Sequence, residues 1–335
     1  MDISINDLCL IPPSKSRRQS LVNSIDLAVK AENFGFKRVW YGEHHASHVF
    51  SSCSPEVLIP MVASYTSNIK LGSGGILLNY YSPYKVAETF LLMSNLFPGR
   101  IDLGIGRSSN GSVVDAALGN STGNEDPSKR IVELTQWLEN GFPNDNPFSK
   151  YQISNLVNVP ELWMLGSSLW SAEFAARFSL PFVFADFFNS GLTKQALAAY
   201  HSNFRTRKGI TSVAAPKVML SCRVICADSE ADVRRLLAPV CVMSRQIEKD
   251  TFRGILSIEE AIKEFGGLPT YDDVLGDKSF ISNIVFGTPE QVEEKLHERI
   301  SDFEIREILI QDLIAEHDAR VHSYELISKI YSELK

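Results

Sequence analysis

Residues 39–50 read VWYGEHHASHVF: an apolar run stops at Gly42, and Glu43, His44 and His45 follow. Imidazole beside carboxylate suits proton transfer near neutral pH, with one histidine as the acid–base group and Glu43 orienting a ring. Metal binding is the other chemistry these residue types offer. Adjacent residues on a strand point to opposite faces, so His44 and His45 do not readily reach one ion. No H-E-x-x-H string or carboxylate cluster accompanies them, and no metal site is expected. For His45, a buried and hydrogen-bonded structural histidine is an equally good reading.

Two other segments suit an anion. Gly166, Ser167 and Ser168 close an apolar run and open a helical pattern, with Ser171 one turn on. Free N–H groups at a helix start and serine hydroxyls would hold a phosphate, and the same serines would serve as ordinary N-caps. Arg107 follows Gly104-Ile105-Gly106. Its planar fork suits a phosphate clamp or a surface ion pair. GIGRSSNG is not a dinucleotide fingerprint, because position 109 is serine, and GSGG at 72–75 is not a P-loop, because no Gly-Lys-Ser follows. Glycines at 72–75 permit an unusual backbone or the close approach of a flat ligand.

These residues need elements to bring them together. Apolar runs of strand length occur at 4–11, 38–42, 69–75, 100–106, 161–168, 181–185, 217–227 and 306–313. Helical spacing occurs at 20–36, 55–67, 82–97, about 127–139, 170–179, about 191–206, 288–302 and 318–334. Pro55 and Pro83 stand at favoured first helical positions, with Ser82 as an N-cap. Eight strand-then-helix units predict an α/β fold, a (β/α)8 TIM barrel with insertions, with a doubly wound open sheet as the alternative. Residues 1–335 read as one domain, with an excursion at about 140–160 and an insertion or lid at about 229–280. In a barrel, chemistry gathers at the C-terminal strand ends, where Glu43-His44-His45, GSGG, GIGR and GSS all fall.

The bulk composition is that of an ordinary soluble globular protein. Of 335 residues, 44% are hydrophobic and 22% charged, and the formal net charge of −7 argues against a nucleic-acid or acidic-membrane binder. Five scattered cysteines (Cys9, Cys53, Cys222, Cys226, Cys241) read as reduced thiols of a cytoplasmic protein. No signal peptide and no apolar run long enough to span a membrane is visible.

Taken in order, the strings YGEHHASHVFSSCSPEVLIPMVASYTSNIKLGSGGILLNYYSPYKVAETFLLMSNLFPGRIDLGIGRS, LWMLGSSLWSAEFAARFSLPFVFA, FGTPEQVEEKLHERI and IAEHDARVHSYELI resemble the luciferase-like monooxygenase family, its MsnO8-type branch in particular. The resemblance spans nearly the whole chain and is weakest at 229–280. It implies a TIM barrel, often dimeric through helices after the early strands. It also implies reduced FMN as cosubstrate, O2, a flavin C4a-hydroperoxide that oxygenates a small organic substrate, and a separate flavin reductase as partner.

Carried over by position, the resemblance implies that His44 is the catalytic histidine and that Arg107 lies near the FMN phosphate. Gly166, Ser167, Ser168 and Ser171 match the phosphate-binding turn. Ser73-Gly74 match a strand-three turn that often holds a non-proline cis peptide under the flavin ring. Two departures stand out. Gly106 replaces a reactive cysteine of the bacterial luciferase α-subunit, and 186–190 is DFFNS where a histidine-containing form is expected. An F420-dependent oxidoreductase of the same superfamily is the alternative, although no Lys/Arg cluster near the site segments awaits an acidic F420 tail. A non-catalytic flavin-binding protein is a further one. The substrate, and any role for Glu43 and His45, are not legible.

Overall fold

The short strands are near-continuous apolar runs, buried on both faces, as strands of a helix-covered parallel barrel are. The computed structural model describes residues 1–108, 111–119, 126–151, 153, 157–252, 254–275 and 283–332. Among them are nine strands: β1 (Asp2–Asp7), β2 (Arg38–Tyr41), β3 (Lys70–Leu77), β4 (Ile101–Gly106), β5 (Glu161–Gly166), β6 (Phe182–Ala185), β7 (Val218–Cys226), β8 (Ile284–Gly287) and β9 (Glu307–Gln311). All pairings between them are parallel. β1 through β7 pair in sequence, β7 pairs with β9, and β9 returns to β1, closing an eight-stranded barrel. That closure bears out the (β/α)8 reading and excludes the open sheet.

β8 was not foreseen. It pairs with Arg223–Cys226 of β7, beyond the point where β6 stops at Ala185 opposite Ser221. It is thus a ninth strand riding on the C-terminal extension of β7. The block read as an insertion or lid at 229–280 contains helices Glu230–Glu248, Ile258–Phe265 and Tyr271–Leu275. Val233, Leu236, Leu237 and Val240 of the first join Leu8, Leu10, Ile225 and Phe286 in a core of their own. Residues 253 and 276–280 of that block lie outside the described residues, as do 152 and 154–156 of the excursion. The excursion holds a short 3-10 turn, Pro147–Lys150, whose Phe148 ring lies 5.2 Å from Trp137.

Helix starts follow their local signals. Ser16 accepts from the Gln19 amide to cap Arg17–Asn33, and prolines open Pro55–Ala63 and Pro83–Leu96. Ser82 occupies the cap position of the last, but its hydroxyl makes no capping bond. The outward faces of the barrel strands (Ile3, Ile5, Val39, Leu71, Leu103, Phe182, Leu220, Ile308) form the main core with the helices. Trp40, Trp163, Val183, Met219 and Leu309 form a separate core inside the barrel.

The interior is layered. In a barrel of this type the strands stagger by about one residue per strand, so alternate strands supply each ring of inward side chains. The observed registers place Arg38, Asp102 and Glu307 lowest, then Ser4, Gly72, Trp163 and Met219, then Trp40, Gly104, Val183 and Leu309. Above these come Asn6, Gly74, Leu165 and Ser221. The next ring, at the C-terminal mouth, is Gly42, Gly106, Ala185 and Gln311. Three of those four have little or no side chain, so the lumen is plugged below and open at the mouth.

Candidate active site

Two glycines just below the mouth tolerate nothing larger. A Cβ on Gly74 would collide with the Asn6 carboxamide, and one on Gly104 with the Ser73 carbonyl. The peptide bond Gly74–Gly75 is cis. It falls one residue beyond the Ser73-Gly74 pair picked out in the sequence. Ser73 itself faces outward, fully buried, and donates its hydroxyl to the Gly104 carbonyl at 2.8 Å. Its contribution to the mouth is backbone, whereas Gly74 lies on the inner face.

His44 is brought to this opening by the turn after β2. Its amide donates to the Ser52 carbonyl at 2.9 Å, and its ring packs on Phe50 at 4.4 Å. A Cβ on Gly42 would lie 2.8 Å from His44 Nε2, so the imidazole occupies the space that the absent Gly42 side chain leaves. Burial, and then the neighbouring His45, pull the His44 imidazole down to about 4. It is therefore neutral at pH 7 and able to accept a proton.

Glu43, whose role was open, is a buried hub. Its carboxylate accepts from the Leu77 amide at 2.9 Å and the Tyr81 hydroxyl at 2.8 Å, and pairs with His45 Nε2 at 2.6 Å. These bonds tie the end of β2 to the end of β3 just beyond the cis peptide. Burial and the adjacent Glu43 carboxylate push the Tyr81 phenol well above its usual range. The network continues to β4, because Tyr80, whose ring meets His45 edge-on at 5.9 Å, donates to Asp115 at 2.5 Å. Asp115 lies in the short helix Ser112–Ala117, and residues 109–110 before it and 120–125 after it lie outside the described residues.

The rim of β4 and β5 carries the anion candidates. Arg107 is exposed, with its guanidinium 5.2 Å from the Trp170 ring, a cation–π arrangement that holds it beside the start of helix Leu169–Arg177. Ser168 caps that helix by accepting from the Ser171 amide at 3.3 Å, and the Ser171 hydroxyl donates to the Ser168 carbonyl at 2.7 Å. A Cβ on Gly166 would run into Ser171, which explains the glycine. Capping thus engages Ser171, which is buried, while Ser168 is exposed and Ser167 half-buried. The amides of 169 and 170, in the first turn, have no intrahelical acceptor to reach. The structure therefore brings Arg107, Gly166, Ser167 and Ser168 together on one rim and turns Ser171 toward the helix.

Sequence reading missed the opposite wall. Asn6, Ser221 and Gln311 are buried, and Asn6 Oδ1, Ser221 Oγ and Gln311 Nε2 have no hydrogen-bond partner. Arg223 stands opposite Gln311 in register, its guanidinium 4.7 Å from the Phe187 ring, and burial draws it down to about 10. Phe187 lies in the short helical turn Asp186–Asn189, which is what the DFFNS string forms. Asn189 of that turn donates to the Ser167 carbonyl at 3.1 Å. Among the described residues, no three His, Cys, Asp or Glu side chains gather as a metal site.

A flavin asks for a flat opening, polar partners for its ring and a cationic or helix-start site for its phosphate. The side-chain-poor ring at the mouth and the exposed Arg107 beside the start of helix Leu169–Arg177 meet the first and the last of those demands.

Comparison with known proteins gives concordant likenesses. The luciferase-like monooxygenase family model matches residues 1–303. A luciferase-like monooxygenase of Escherichia coli K12 is 33% identical over 336 residues, 99% of this chain and 97% of that protein. The crystal structure of apo-MsnO8 superposes with a TM-score of 0.89 at 31% identity, covering 99% of this chain and 98% of that one. The oxygenating constituent of 3,6-diketocamphane monooxygenase from Pseudomonas putida, solved with FMN, shares the fold. Its TM-score is 0.72 at 22% identity, over 98% and 97% of the two chains.

Proposed function

The chain belongs to the luciferase-like monooxygenase family, and on that premise we propose that it is an FMN-dependent monooxygenase of a two-component system. It takes reduced FMN from a separate reductase and oxygenates a small organic substrate. The observation that carries this reading is the open ring of Gly42, Gly106 and Ala185 above Asn6, Gly74, Leu165 and Ser221. The His44 imidazole sits beside that opening, and Arg107 stands on the adjoining rim. Reduced FMN, when bound, supplies the two electrons by which one atom of O2 enters the substrate and the other leaves as water.

The chain's own residues do the rest. Arg107 and the helix start at Ser167 and Ser168 hold the phosphate. Gly74 and Gly75 give the ring a flat backbone to rest on. The aromatic plug of Trp40 and Trp163 keeps water out from below. His44 Nε2, neutral at pH 7, takes up and returns the proton that oxygen transfer moves. Glu43 holds the β2 and β3 ends around it.

Anaerobic titration with FMN, reduced FMN and reduced F420 tests the reading. Reduced FMN should bind at micromolar concentration. Binding of reduced F420 in its place would make the chain an F420-dependent oxidoreductase, and binding of neither would sink the flavin assignment. The phosphate end has its own test. Arg107→Ala should weaken FMN by about 10–100-fold, the worth of a charge-assisted hydrogen bond, and riboflavin by less than about threefold. Equal losses for both would remove Arg107 from the phosphate.

A homodimer is part of the proposal. Val57, Met61 and Tyr65 form a stripe on the helix after β2 and the turn that follows it, and Leu92 and Leu96 another on the next helix. Each of the five is more than half exposed. Large apolar side chains exposed on two consecutive helices support an association face. Sedimentation should find a dimer at micromolar concentration and a monomer for Met61→Glu. A monomeric parent chain would end this part of the proposal.

A further inference from the structure

His44 rides on a loop, and a ring carried by a loop is only as still as the contacts that hold that loop. Residues 44–52 leave β2 and fold back, closed by the bond from the His44 amide to the Ser52 carbonyl and turned at a left-handed Ala46, φ 50°. On one side the loop leans on the segment after β1. The Ile11 amide donates to the Val49 carbonyl at 2.8 Å and the Ser51 amide to the Cys9 carbonyl at 2.9 Å, which frames Leu10 and Phe50 as an antiparallel pair. In such a pair the flanking residues make the bonds, so the N–H and C=O of Phe50 itself point to the other side.

There they meet two side chains. Ser47 Oγ accepts from the Phe50 amide at 3.0 Å and from the Val49 amide at 3.1 Å. Arg17, the first residue of helix Arg17–Asn33, donates to the Phe50 carbonyl at 2.9 Å, and its other terminal nitrogen donates to the Ser47 carbonyl. A planar guanidinium spans two oxygens in a way that no other side chain does. It clips the loop at two points, and one of them is the residue whose ring lies 4.4 Å from the imidazole. We propose that Arg17 is a positioning residue for His44, acting through the Phe50 ring that it holds against the imidazole. This rests on the reading of His44 as the acid–base group. Without the clip the loop keeps its bonds to the β1 segment, but Phe50 swings and water reaches the imidazole.

The first readout needs neither flavin nor substrate. Histidine NMR of the full chain, with the His44 signal assigned by its loss in His44→Gln, follows the titration of that ring. In the parent chain it should titrate at about 4, because burial and then His45 hold it down. The other neighbours leave that balance alone: the Glu43 carboxylate is turned to Leu77, Tyr81 and His45, and Leu8 and Phe50 carry no charge. In Arg17→Met, which keeps the stem and drops the donors, the ring should titrate above about 5, toward its ordinary 6.5. Arg17 is exposed, so this change opens no core. The rise should persist in about 1 M salt, where the loss of an exposed charge is screened. An unaltered His44 titration, or a rise that disappears in that salt, overturns the inference.

Turnover gives the second readout. Arg17→Met should lower kcat about 3–10-fold while the affinity for reduced FMN changes by less than about twofold, since only the proton-transfer geometry is loosened. In a His44→Ala background the same substitution should cost less than about twofold, because Arg17 reaches the chemistry only through that ring. An equal loss in both backgrounds overturns the positioning role. Unchanged turnover in His44→Ala itself overturns the acid–base reading, and failure to bind reduced FMN overturns the flavin reading. In either case the NMR titration still decides whether Arg17 holds the ring.

Discussion

Replacing His44 with alanine should lower oxygen-transfer turnover by about 10²–10⁴-fold, the usual worth of a positioned acid–base group. Affinity for reduced FMN should change by less than about threefold, because the imidazole contributes no charge-assisted bond at pH 7. The ring lies over Gly42 at the open mouth, and its seat against Phe50 fixes its orientation. Unchanged turnover in His44→Ala would end the catalytic assignment. The pH dependence is a second readout. Burial holds the imidazole at about 4 against an ordinary 6.5, so the acid limb of turnover due to His44 should fall near 4. The sign for stability follows by linkage. The unfolded chain binds the proton more readily between 6.5 and 4, so the contribution of neutral His44 is full above 6.5. It is lost as pH falls toward 4. His44→Gln should flatten that part of the stability profile, and an unaltered profile would show that the ring titrates normally.

What could be read from the sequence divides along a physical line. His44, Arg107 and the Gly166–Ser168 turn announce themselves because each stands where an apolar strand run stops, and a barrel gathers such ends on one rim. Asn6, Ser221 and Gln311 gave no such signal. Each shares its strand with other polar residues (Asp2 and Ser4, Arg223, Glu307), so none stands out, and only the closure of the barrel brings positions so far apart in sequence onto neighbouring strands. Register is set by the whole sheet and is not encoded in any one strand. Glu43 was visible as a residue but not as a hub, since its partners Leu77 and Tyr81 lie a strand away. β8 is four residues long and merges into the helix start at Pro289, so length alone hid it. Ser171 illustrates the limit of motif reading, because the same spacing that suits a phosphate also closes a capping box, and here its hydroxyl caps.

The largest expected loss of stability lies at the other end of the lumen. Arg38 is fully enclosed there, 2.6 Å from Asp102 and 2.6 Å from Glu307. Burial acts to lower its guanidinium, but Asp102, Glu307 and Glu161 outweigh it and hold Arg38 well above its ordinary range. Glu161 feels the converse: burial works to raise it, yet Lys70, Lys217 and Arg38 keep it at about 2. Arg38→Met would leave Asp102 to Lys70 at 3.3 Å and Glu307 to Lys37 at 3.1 Å, both partly exposed lysines, and removing the buried partner of such a cluster costs about 3–5 kcal/mol. The urea midpoint should fall accordingly with the slope unchanged. Neutralising the partners as well, with Asp102→Asn and Glu307→Gln, should recover much of the loss, because the cost comes from uncompensated charge rather than from the missing contact. A single variant that loses less than about 1 kcal/mol would show the floor to be held by packing alone. The effect should also reach the mouth. Trp40 donates to Asp102 at 3.0 Å, and its side chain packs beside Gly72 and below Gly74. A disordered floor therefore loosens the bed on which the flavin is proposed to rest, and Arg38→Met should weaken FMN binding although Arg38 lies at the opposite end of the barrel from it.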